Sequence, residues 1–171
     1  DLEQRLPSFK WYGVGRDDGK QQGEYSPVFY RERLFDRIDA GTFWLSETPT
    51  IVGSTGWDAA LPRVCSWVIL EIKATGQIMW CASTHFDHRG KMARENSGIV
   101  LHDKAKALNG KENRILMGDF NCLSGSTPYT NILALGNARA IFEDARQRSL
   151  SQPLGPNSTF NGFNVLKPEK I

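Results

Sequence analysis

A chain of 171 residues, 40% of them hydrophobic and 11% aromatic, is long enough for one globular domain with a packed core and short for two. Its net charge of +2 is too mild to announce a polyanion partner. No run approaches the roughly 18 consecutive apolar residues that span a bilayer, and five tryptophans argue against disorder over most of the length.

The opening DLEQRLPSFK lacks the charged-then-apolar layout of a signal peptide, so a cytoplasmic location is expected for the chain as given. Residues 13–24, GVGRDDGKQQGE, combine closely spaced glycines with paired aspartates and read as a loop. Four short runs follow, SPVFYRE (26–32), TFWLSE (42–47), CSWVILEIK (65–73) and IMWCASTHF (78–86), rich in aromatic and β-branched residues and separated by turn formers. These are expected strands. The last two, joined by Ala74-Thr75-Gly76-Gln77, read as a β-hairpin with at least one buried face.

From Lys91 to Asn109 the period changes. Ala93, Ser97, Val100, Leu101, Ala105 and Leu108 fall on one helical face, and Asn109-Gly110 is a stop signal. RILMGDF (114–120) reads as another strand. STPYTNILALG reads as a helix with Thr127 as N-cap, Pro128 in the first helical position and Gly136 at its end. Repeats and linkers are absent, so hairpins punctuated by helices point to an α+β layered sandwich in one domain. Cys65, Cys81 and Cys122 are odd in number and lack metal-type spacing, and they are expected to be reduced thiols, the first two in the core.

Chemistry-bearing residues collect where apolar runs break. Asp119 and Asn121 are two apart, and on an extended segment they would face one target. The carboxylate can hold a hard cation or orient water, and the carboxamide can donate to a phosphate oxygen. The plain alternative is that both are turn formers ending a strand. ASTHFDHRG repeats the pattern with Thr84, His85 and Asp87. His85 suits proton transfer, although a lone histidine is more often structural. His88 and His102 read as surface residues. Glu24 and Arg63 each stand just before a strand, and surface charge is their ordinary explanation unless the fold brings them beside His85 and Asp119. Arg16, Lys20, Arg89 and Lys91 are local cations that could meet an anionic substrate, with solvated loop charge the plainer reading.

GVGRDDGKQQGEYSPVFYRE, FWLSETP, STHFDH before an ARENS helix, LMGDFN and a late STFNGF, in this order and over nearly the whole chain, resemble the endonuclease/exonuclease/phosphatase superfamily. The resemblance implies a deoxyribonuclease-like four-layer fold, a two-sheet sandwich flanked by helices with the active site at one sheet edge. It further implies phosphoester hydrolysis dependent on Mg2+ or Mn2+. By the same resemblance Asp119 orients the attacking water or contacts metal, Asn121 binds a non-bridging phosphate oxygen, and His85 stabilises the transition state or protonates the leaving oxygen. Glu24 supports that histidine, and Arg63 is a phosphate-side arginine. Implied substrates are phosphorylated: nucleic acid, inositol phosphate, lipid or nucleotide.

Family members also carry an early strand whose Glu is the principal metal ligand, and late strands bearing an Asp-His pair, and neither matches a segment here. Residues 1–171 are therefore expected to be the central part of one such domain, an incomplete fold with sheet edges open to self-association. As this chain alone it is expected to have little or no phosphoesterase activity. The reading from a different class is a non-catalytic binding module that keeps the middle of the fold.

Overall fold

The structure, a computed structural model, describes residues 2–107, 113–134, 140–152 and 154. A one-turn helix α1 (Leu2–Arg5) leads into β1 (Phe9–Tyr12) and, after the loop at 13–24, β2 (Val28–Arg31). These two strands pair antiparallel, Phe9 opposite Arg31 and Tyr12 opposite Val28. A second sheet holds β3 (Phe35–Trp44), β4 (Val64–Ile72), β5 (Ile78–His85) and β6 (Asn113–Asp119) in that order. Its first three strands run antiparallel, whereas β6 lies parallel to β5. A parallel return needs a crossover, and α2 (Lys91–Ala107) is that crossover. Two short helices follow, α3 (Thr127–Leu133) and α4 (Ala145–Arg148).

Alternation along β4 and β5 serves two cores. Phe43, Leu45, Cys65, Trp80, Ala82 and Phe86 face Leu101 and Ala105 of α2 and Ile132 of α3. On the opposite face Val68, Leu70 and Cys81 pack against Val28 and Tyr30 of β2. The result is the expected α+β arrangement of two sheets with helices on a flank, and the apolar density of β4 follows from its being covered on both faces. Gly98 lets α2 and α3 approach, since a Cβ there would lie 2.8 Å from the Pro128 carbonyl oxygen.

The hairpin over 65–73 and 78–86 forms as expected, with Cys65 opposite Thr84 and Glu71 opposite Ile78. Several expectations need correction. The strand read as TFWLSE ends at Trp44 and reaches back to Phe35, through a polar stretch whose side chains are largely exposed. A bulge between Arg37 and Asp39 interrupts its pairing with β4. β1 had no signal among the residues read as strands. His102 is buried rather than on the surface: α3 covers it, and its Nδ1 lies 3.4 Å from the Ile132 carbonyl oxygen. The N-cap of α3 is Ser126, with Thr127 its first helical residue, and the helix closes on Ala134 in a left-handed conformation at φ 48°. Gly136, the Asn109-Gly110 stop, Leu108 and the STFNGF motif lie outside the described residues. All three cysteines are free thiols, Cys65 and Cys81 buried and Cys122 partly so.

Candidate active site

The sheet topology sends the end of β3, the start of β4 and the ends of β5 and β6 to one edge, where Trp44 stands opposite Val64, Cys65 opposite Thr84, and His85 opposite Asp119. Arg63 sits just before β4, and its carbonyl accepts the Leu45 N–H at 2.7 Å, which extends the sheet by one step at this edge. The Thr84 hydroxyl donates to the Val64 carbonyl at 2.8 Å. Gly118, at φ 142°, allows β6 to crowd β5, because a Cβ there would collide with the Thr84 carbonyl. His85 and Asp119 are thereby brought level, with Nε2 of the one 3.8 Å from Oδ2 of the other.

Glu24 arrives from the loop before β2, and His85 Nδ1 donates to its Oε1 at 2.9 Å. Its Oε2 accepts Arg16 Nη1 at 2.7 Å and lies 3.8 Å from Arg63 Nη1. Partial burial pushes the Glu24 carboxyl up, but the His85 hydrogen bond and the positive charges of His85, Arg16 and Arg63 outweigh it and hold the group below its ordinary value. Together Arg16, Glu24, Ser26, Arg63, Val64 and His85 line a small depression at the edge.

Behind this depression Arg63, only 4% exposed, meets Asp87, 1% exposed, through Nε and Oδ2 at 3.3 Å. Its Nη2 donates to His88 Nδ1 at 3.0 Å, and its buried Nη1 has no hydrogen-bond partner. Asp87 also accepts the amides of Ala60 at 3.1 Å, Arg89 at 2.9 Å and Gly90 at 2.7 Å. Burial raises the Asp87 carboxyl, yet these donors and Arg63 prevail and bring it down to about 2. One carboxylate therefore fixes the arginine, the loop before β4 and the entry to α2.

Asp119 is the open group of the set, its side chain 65% exposed. Its Oδ1 accepts the Asn121 amide at 2.9 Å, and its backbone carbonyl accepts the Phe86 N–H at 2.8 Å. Asn121 departs from the expected extended geometry: β6 has already ended, φ is 45°, and strand alternation no longer governs where its side chain points. One Nδ2–H donates to the Phe86 carbonyl at 2.9 Å, which leaves the second N–H available.

The fold thus gathers His85, Asp119, Glu24 and Arg63, with Asn121 one turn beyond. Lys20, Arg89 and Lys91 are exposed, as the plainer reading has them, and His88 is exposed too. Arg16 is not a solvated loop charge: its side chain is 14% exposed and committed to Glu24. The sequence reading names Arg16 only as a cation for substrate and does not anticipate its bond to Glu24, nor the structural weight of Asp87. An arginine inside a glycine-rich loop and an aspartate two residues after the histidine were the available signals.

These residues do not by themselves fit a divalent cation. Mg2+ takes about six oxygen ligands, and among the described residues no group of three or more His, Cys, Asp and Glu side chains is arranged to hold a metal. Glu24 is already bonded to His85 and Arg16, which leaves Asp119 as the more open carboxylate of the set.

No protein-family model and no curated protein sequence matches the chain. Solved structures do. An endonuclease/exonuclease/phosphatase protein from Bacteroides vulgatus is 43% identical with a TM-score of 0.75, the match covering 78% of this chain and 51% of that one. A mannosyl-6-phosphatase from Bacteroides thetaiotaomicron is 46% identical with a TM-score of 0.75, covering 78% and 51%. The human Nocturnin catalytic domain, at 19% identity and a TM-score of 0.62 over 89% and 57%, shares the fold. The chain spans about half the length of the first two. On the strength of that identity and of the shared fold, the chain belongs to the endonuclease/exonuclease/phosphatase family.

Proposed function

We propose that this edge serves a phosphoester hydrolase, and that the ester is the phosphate monoester of a sugar. The carrying observation is the Glu24–His85–Asp119 line across the ends of β5 and β6, in a chain 46% identical to a structure named a mannosyl-6-phosphatase. In-line hydrolysis forms a bond from water oxygen to phosphorus and breaks the bond from phosphorus to the sugar oxygen. Asp119 accepts a proton from the attacking water, and protonated His85 gives one from Nε2 to the departing oxygen. Glu24 holds Nδ1 and so aims the ring. The second Nδ2–H of Asn121 donates to a non-bridging oxygen, and Arg63 adds positive charge from behind. If a Mg2+ or Mn2+ takes part, as the family resemblance implies, Asp119 would be a contact for it.

Titrating the labelled 171-residue chain with inorganic phosphate and with mannose 6-phosphate tests this reading by NMR. Saturable movement of the His85 ring, Asn121 side-chain and Asp119 amide signals is expected, with binding weakened roughly tenfold in Asn121→Ala. No response at this edge to either compound would refute it.

A further inference from the structure

Arg16 is held from three directions. Its amide donates to the Glu24 carbonyl at 3.2 Å, its own carbonyl accepts the Trp44 indole N–H at 2.7 Å, and its Nη1 reaches Glu24 Oε2 at 2.7 Å. The loop that carries it is therefore pinned to the end of β3, which sets the guanidinium within reach of Glu24. Glu24 is 48% exposed, and a terminal carboxylate torsion is broad, so nothing intrinsic keeps one particular oxygen on His85. A short charge-assisted bond to the other oxygen does. Arg63 is less able to hold Glu24 in this way, because its Nη1 is 3.8 Å from the same oxygen and its other nitrogens serve Asp87 and His88.

We propose that Arg16 is a positioning residue: by holding Oε2 of Glu24 it fixes Oε1 on His85 Nδ1 and so determines which nitrogen of that ring faces Asp119 and the substrate. A carboxylate can only accept, so Nδ1 must carry hydrogen, and Nε2 is left as the nitrogen that works at the open edge. The order of support is Trp44 to Arg16 to Glu24 to His85, linking a core strand to the ring. The inference rests on the functional reading above only for the catalytic part given to His85.

Long-range proton–nitrogen correlation of the His85 ring in the full labelled chain, at alkaline pH, reads the outcome without turnover. The wild-type chain is expected to show the Nδ1–H form. Arg16→Ala is expected to lose it to a mixture of both forms, Arg16→Lys to recover it, and Lys20→Ala, an exposed cation of the same loop, to leave it unchanged. Should Arg16→Ala not fold, Arg16→Gln, which keeps the length and removes the charge, decides in its place. An unaltered Nδ1–H form in a folded Arg16→Ala or Arg16→Gln chain overturns the proposal, as does equal loss in Lys20→Ala. A chain that shows the Arg16 effect but ignores phosphate at this edge refutes the functional reading alone.

Discussion

Gly118 stands so close to the carbonyl of Thr84 that no side chain fits between them, and this contact brings His85 and Asp119 level at the sheet edge. The glycine in GDFN is thus a spacing device as well as a strand ending. Gly118→Ala meets both a backbone collision and an unfavourable φ of 142°, and should destabilise the chain by about 2–4 kcal/mol. Urea unfolding measures that. A loss of a few tenths would show that β6 can move away from β5 at little cost.

Acid should weaken the fold through Asp87. Its carboxyl is held at about 2 in the folded chain against an ordinary 3.8, so the group binds a proton more readily once unfolded. The stability it contributes is full above the ordinary value and is lost as pH falls through the folded one; a shift of this size corresponds to about 2 kcal/mol. Unfolding free energy should fall between pH 3.8 and about 2, with the loss attenuated in Asp87→Asn. Glu24 is lowered in the same direction, so Glu24→Gln separates its share. An unchanged acid profile in Asp87→Asn would contradict the assignment.

Removing Asp87 outright is a harsher test. Asp87→Ala leaves the Arg63 guanidinium buried without its carboxylate and three amides without an acceptor. A cost of roughly 3–5 kcal/mol is expected from the broken buried pair alone. The double change Arg63→Met with Asp87→Leu should recover part of it, since two matched apolar groups leave no buried charge. Equal destabilisation of the single and double variants would count against an electrostatic cause.

Thiol labelling separates the cysteines. Burial pushes Cys65 and Cys81 upward, the latter to about 11, and Cys122 is raised as well, by burial and to a smaller extent by Asp119, against the lowering effects of Ser126 and Arg94. Cys122 is the one with partial access. It should react first in the native chain, while Cys65 and Cys81 wait for unfolding. Fast native labelling of Cys65 would mean that the core under α2 opens readily.

Turnover by the 171-residue chain with Mg2+ should be absent or very slow, because among the described residues no group of three or more His, Cys, Asp and Glu side chains is arranged to hold the ion. Calorimetry should find Mg2+ binding no tighter than about millimolar, and abolished in Asp119→Asn. Efficient phosphate release that disappears in His85→Ala would overturn this expectation.

What the sequence revealed and what it hid follow from where each residue sits. β4 and β5 were legible because both are buried, so their apolar residues run nearly unbroken. The first half of β3 was not, because FDRID lies on an exposed stretch, where pairing with β4 rather than hydrophobicity makes it a strand. His102 looked like surface because its polar ring gives no sign that α3 covers it. Asp119 and His85 announced themselves as polar breaks after apolar runs. The engagement of Glu24 with His85 spans 61 residues and depends on a loop folding back over the sheet, which no local pattern records. Arg16 was hidden for the same reason: its role exists only after Glu24 has been delivered.

β6 pairs with β5 on one side, and on the sheet face opposite Leu116 it displays Ile115 and Met117, each 43% exposed. That strand also carries Asp119 at its tip. Support and chemistry therefore share one ribbon of backbone. Ile115 and Met117 lie four and two residues before Asp119 on the same strand, so a contact made on that face of the sheet would bear on the reactive tip through the backbone.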